Sequence, residues 1–219
     1  MTEFEKIPDD FQKEGYRVIR KISLSGTAAF IEYQFKRHSL LRYMLRTMLV
    51  LEVLITALLF IAVCREWNSW GMAAINLLKI LLVAAALLLL LVPFHEGMHA
   101  VFFRLIGARR VRFGIEWRQC LIYAAADRTP LNYPQYRLVA LAPFVIVNAV
   151  LLVLLGLSQG QIMHISLLIA FFIHLNCCWG DLVMILYFRQ YRKRDVITID
   201  DLENRMSYFL EKEKPLRGI

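Results

Sequence analysis

The sequence predicts an all-α membrane protein, with about four transmembrane helices and a short cytoplasmic β-hairpin-like loop. Three observations carry this. Hydrophobic residues make up 58% of the 219, too many for an ordinary soluble domain of this size. Four apolar runs are long enough to cross hydrocarbon, which takes about 20 helical residues. Lys and Arg gather at the ends of those runs, as orienting charges do. The net charge of +8 is thus spread over loops and forms no continuous patch, so nucleic acid is not an expected partner.

In chain order, residues 1–42 read as a cytoplasmic arm, polar, mixed in charge and unlike a cleavable signal. A four-span membrane domain follows over 43–188, and 189–219 form a cytoplasmic tail. The apolar runs are 43–64, 72–103, 138–157 and 162–188. The second and fourth exceed a simple span and must tilt, kink or protrude, with Pro93 a natural kink. Arg104, Arg109, Arg110, Arg112 and Arg118 follow the second run, and Arg189, Arg192, Lys193 and Arg194 follow the fourth. The loop around Gln159 carries no charge. Positive charge inside therefore puts both termini and the 104–137 loop in the cytoplasm of a multi-pass cell-membrane protein. Within that loop VRFGIEW and CLIYAAAD read as two short extended segments. The tail DDLENRMSYFLEKE reads as an amphipathic helix capped by Asp200 or Asp201, with Leu202, Met206, Phe209 and Leu210 on one face. Cys64, Cys120, Cys177 and Cys178 show neither CxxC spacing nor a disulfide framework.

The chemistry lies in LVPFHEGMHAVFF. His95 and His99 are i and i+4, so a helix puts both rings on one face, where they can share one metal ion. Glu96 is one place on, about 100° around the helix, beside the metal without ligating it. It can take a proton from water at the metal and later deliver it to a leaving amine. This is the zincin arrangement, and Zn2+ is the expected cofactor. Polar side chains inside a bilayer need partners, and a metal satisfies both histidines at once.

A zinc hydrolase site takes three protein ligands and keeps a fourth position open. By helix rise, Asp181 lies about 12 Å in from Arg189, and His95 and His99 about 14 and 8 Å in from Arg104. The three share a depth, so Asp181 is the expected third ligand. His174 is seven residues earlier and about 10 Å higher by the same rise, and His164 is farther still. Glu52, about 9 Å in from Arg46, is a candidate partner for a histidine N–H or for an interfacial arginine. Asn148, about 16 Å in from Arg137, is a candidate to orient a ligand or bind substrate backbone.

HEGMHA, the basic loop, ALAPFVIVN and GDLVMIL together resemble the membrane-embedded zincins of the site-2 protease type. More closely they resemble the small bacterial "putative zincin peptidase" family, over about residues 91–186, with weaker likeness in YRVIRKISL. Where site-2 proteases carry GPxxN, this chain supplies Pro143 and Asn148 without the glycine and at longer spacing. Asp181 matches their later aspartate, here preceded rather than followed by glycine. The resemblance implies an intramembrane metalloprotease acting on a membrane-anchored protein or peptide. The alternative is a non-proteolytic membrane protein with a structural or regulatory zinc site, against which Glu96 argues. A transporter is weaker, since four spans show no repeat.

Overall fold

In a computed structural model, residues 9–65, 70–117 and 121–213 are described. The expectations for Arg118 and Cys120 fall outside these residues. After a short helix α1 (Asp9–Lys13) come β1 (Tyr16–Ser23), α2 (Thr27–Arg37) and the long helices α3 (Ser39–Cys64) and α4 (Trp70–Leu105). A hairpin of β2 (Val111–Glu116) and β3 (Leu121–Ala126) and the short β4 (Leu131–Asn132) lead into α5 (Tyr133–Leu157). Helices α6 (Gln161–Cys177) and α7 (Trp179–Arg189) and strands β5 (Val196–Asp201) and β6 (Met206–Lys212) complete the chain.

Among the described residues, four stretches are long and apolar enough to cross a membrane: α3, α4, α5, and α6 with α7 taken together. Their outward faces carry bare leucines, with Leu89 and Leu90 77% and 69% exposed, a surface that only lipid or another apolar partner would cover. Helix α4 has 36 residues, about 54 Å by helix rise. It outruns the hydrocarbon core and stays helical through Pro93. Helix α5 begins at Tyr133, five residues before the expected apolar run. Asn132 and Gln135 form a reciprocal capping box and Pro134 occupies the first turn, so the polar NYPQ is the start of the helix.

The all-α expectation needs correcting. Strands in the order β1-β6-β5-β4 form an antiparallel sheet. The tail expected as a helix is instead the β5–β6 hairpin. Asp201 does accept from Asn204 N–H at 3.1 Å, as an N-cap would, but Arg205 then takes φ 53° and the chain turns back. The same local bond serves a cap or a tight turn. What decides is the β-branched VITI of β5, buried on both faces, which a helix reading of the tail leaves out.

The sheet grips the end of the fourth span. Phe209 of β6 stacks edge-on against Phe188 of α7 with ring centroids 5.3 Å apart, and Tyr133 and Tyr136 of α5 pack on Phe188. Both phenylalanines are fully buried. Phe103, Ala108, Ala126, Leu131 and Val139 form a second core that ties the end of α4 to β3, β4 and α5. The ends of the helices that carry the candidate site are thus fixed in one packed layer.

The β2–β3 hairpin fits the expected extended segments. Gly114 faces Tyr123 across it, and a Cβ at 114 would lie 2.4 Å from the far end of the tyrosine ring, so any other residue there requires Tyr123 to move. The tail turn docks on this hairpin. Arg205 pairs with Glu116 at the end of β2, Arg128 donates to Glu203 at 3.0 Å, and Leu202 N–H donates to Asp127.

Candidate metal centre

His95 and His99 project from one face of α4, with ring centroids 5.0 Å apart and both side chains buried. Asp181, in the first turn of α7, reaches both: its Oδ2 lies 3.4 Å from His95 Nε2 and 3.5 Å from His99 Nε2. The three residues expected at one depth are therefore together, with ligand atoms all within 4.8 Å of one another.

Hydrogen bonds set what each atom offers. His99 Nδ1 lies 3.1 Å from the Val139 carbonyl, which can only accept, so Nδ1 carries the proton. Asn148 Nδ2 donates to the Phe144 carbonyl at 2.6 Å, which turns its Oδ1 to His174 Nδ1 at 3.0 Å. His174 thus donates from Nδ1 and accepts at Nε2 from His95 Nδ1, 3.0 Å away. Both α4 histidines, when neutral, have spent their single proton. Each presents a bare Nε2 lone pair to a carboxylate oxygen. Three acceptors converge with no donor between them, which a cation resolves. Ligands about 2.0–2.1 Å from a tetrahedral ion stand about 3.3 Å apart, close to the two distances seen here. The donor set fits zinc.

A second group, His95, His174 and Cys178, is also close enough to hold a metal. Its geometry is poorer. Cys178 Sγ is 3.8 Å from both His174 ring nitrogens, and a point equidistant from them lies along neither lone pair. His174 Nε2 is already taken by His95.

His174 corrects the expectation from helix rise. Its place seven residues before Asp181 does not isolate it, because the rise measures backbone and not side-chain reach. The His95 ring spans the gap, with Nδ1 on His174 and Nε2 toward Asp181. Asn148 meets His174 rather than a ligand directly. Glu52 meets neither a histidine nor an arginine among its hydrogen bonds. It accepts from Asn176 Nδ2 at 2.7 Å, and its Oε1 has no hydrogen-bond partner among the described residues. Asn176, unremarked in the sequence, stood out only as a polar residue in an apolar run. His164 is apart from the cluster, beside Ser158.

Glu96 is held off the cluster by the hairpin. Ala124 N–H of β3 donates to its Oε2 at 2.7 Å. Ala124 is paired with Phe113, yet its N–H points away from β2, so Ile122, two residues back, also turns its main chain to that outer edge. A cavity of about 290 Å³ lies along it, lined by His95, Glu96, Ile122, His174 and Cys177 with apolar residues of α4.

Apolar helices of bilayer length thus surround a buried HExxH cluster that could hold a metal ion. The family model described as "Putative zincin peptidase" matches residues 88–196, from α4 just before HEGMH to the first residue of β5, and the chain belongs to that family. No curated protein and no solved structure matches the chain.

Proposed function

We propose that this chain is an intramembrane zinc metalloprotease, related to site-2 proteases, that hydrolyses peptide bonds of membrane-anchored substrates. His95, His99 and Asp181 hold the ion and Glu96 is the general base. The site lies in the cytoplasmic half of the cell membrane, and both termini are cytoplasmic. The observation that carries this reading is Glu96, a carboxylate beside three converging acceptors yet bound to β3 instead of joining them. A structural zinc site needs no such neighbour.

Bound zinc supplies Lewis acidity toward a carbonyl oxygen and toward water. Glu96 takes the proton from the attacking water and returns it to the leaving amine nitrogen. Ala124 N–H keeps that carboxylate aimed. The outer edge of β3 binds the substrate as an added strand, through the main chain of Ile122 and its neighbours. A helical substrate hides its scissile carbonyl, so the peptide must unwind to enter. Asn148, through His174, orients His95. Glu52 holds Asn176 near the end of α6.

The test is a proteomic comparison of membranes containing wild-type protein or Glu96→Gln, with zinc measured in both. Fragments of membrane-anchored proteins that vanish in the variant support the proposal. Identical proteomes at equal zinc content overturn it.

A further inference from the structure

Both α4 histidines receive their orientation from α5, by two different routes. The first begins at Pro143, fully buried in the middle of the helix. In a regular helix the N–H of residue 143 would bond to the carbonyl of residue 139. Proline has no N–H, so it cannot supply that bond. The Val139 carbonyl instead accepts the proton of His99 Nδ1 at 3.1 Å. The second route begins five residues on. Asn148 anchors its amide on Phe144, accepts from His174 Nδ1, and leaves His174 Nε2 to accept from His95 Nδ1. One helix thereby places a proton on Nδ1 of both histidines.

We propose that Pro143 and His174 are positioning residues of the metal site, Pro143 by freeing the Val139 carbonyl for His99 and His174 by taking the Nδ1 proton of His95. The inference rests on the proposed zinc site. Its chemical logic is that an imidazole ligates only through an unprotonated nitrogen. A ring free to move its proton to Nε2 spends part of its time unable to bind. Partners beyond the ligands remove that freedom, and their loss weakens metal binding by roughly 10–100-fold. The plain alternatives are that Pro143 shapes the helix and that His174 only fills space. Both predict changes in stability, not changes that follow hydrogen-bonding capacity.

The experiment uses the full chain in detergent, loaded with zinc or cobalt. Zinc affinity is read by competition with a chromophoric chelator, and the ligand field by the visible spectrum of the cobalt form. His174→Leu should weaken zinc by about 10–100-fold and alter the cobalt spectrum. His174→Gln, whose side-chain oxygen can reach the position of Nε2 and accept from His95, should return affinity to within a few-fold of wild type. Pro143→Ala gives Val139 a competing helical N–H, so it should weaken zinc while leaving the helix as stable or more so. That variant keeps the test informative if His174→Leu folds poorly. Wild-type affinity and spectrum in both His174→Leu and Pro143→Ala overturn the proposal. So does His174→Gln as weak as His174→Leu. His99→Ala is run alongside: if it still binds zinc as wild type, the underlying site reading fails and not this refinement alone.

Discussion

At the scale of single residues, the roles of Glu96 and Asp181 separate by experiment. Glu96→Gln keeps the size and the acceptor for Ala124 N–H but cannot take a proton, so zinc should stay near one per chain while cleavage falls by at least about 10²–10⁴-fold. Asp181→Ala removes one of three converging acceptors and should lower zinc content itself, read by elemental analysis after dialysis. Substantial cleavage by Glu96→Gln would end the general-base reading, and full zinc in Asp181→Ala would end the ligand reading. These residues were legible because they obey simple geometry: HEGMH has the period of a helix face, and Asp181 shares its depth. Their partners were not. The Ala124 N–H and the Val139 carbonyl are main-chain groups that any residue type provides. His174 was hidden because helix rise counts backbone distance, whereas a ring reaches several ångströms beyond it.

Among elements, the sheet was the part the sequence concealed. Its strands are short and come from 16–23, 131–132, 196–201 and 206–212, and beyond the local β5–β6 hairpin they pair only with strands distant in sequence. Nothing within DDLENRMSYFLEKE alone distinguishes a capped helix from the hairpin it forms; the signal lies in the VITI that precedes it. The sheet also carries charges that respond to pH. Glu211 accepts from Arg194 and Arg17, and these guanidinium groups hold its carboxyl down to about 2. Asp200 moves the other way: burial raises it above the usual aspartate value, although Ser207 Oγ donates to it at 2.6 Å. A raised native pKa means that ionisation opposes folding, so the stability it contributes is present below the unfolded value and lost as pH rises through the native one. Asp200→Asn keeps the acceptor and cannot ionise. Its thermal midpoint in detergent should match wild type near pH 3.5 and exceed it at pH 7, and equal midpoints at both would refute this. In the hairpin, Gly114→Ala should displace Tyr123 and loosen β3, lowering cleavage while zinc content stays unchanged. Cleavage at the wild-type rate would show that the tight fit of Tyr123 does not matter.

For the whole molecule, the sheet constrains topology without reference to charge. Strand β1 precedes the first long helix, β4 follows the second and β5 follows the last. Strands of one sheet lie on one side of a membrane, so each interval between them must cross an even number of times. Cysteine labels at Glu14, Phe113 and Glu213 should therefore share one accessibility, and a label at Gln159 should show the opposite one. Phe113, which is exposed, serves better than Gly114, where a side chain would displace Tyr123. Opposite accessibility for Glu14 and Glu213 would be incompatible with β1 pairing to β6. That pairing also sets a timetable. Arg17 and Glu211, bonded across β1 and β6, are 194 positions apart. At the usual 5–20 residues per second of synthesis, β1 waits about 10–40 s for its partner to be made. Phe209, which buttresses Phe188 and the helix bearing Asp181, arrives at the very end of that interval. A nascent chain of this protein thus carries HEGMH while α5, α6, α7 and β5 are still being made, before the frame that aligns it exists, and the proposed protease becomes competent only once β6 has joined β1.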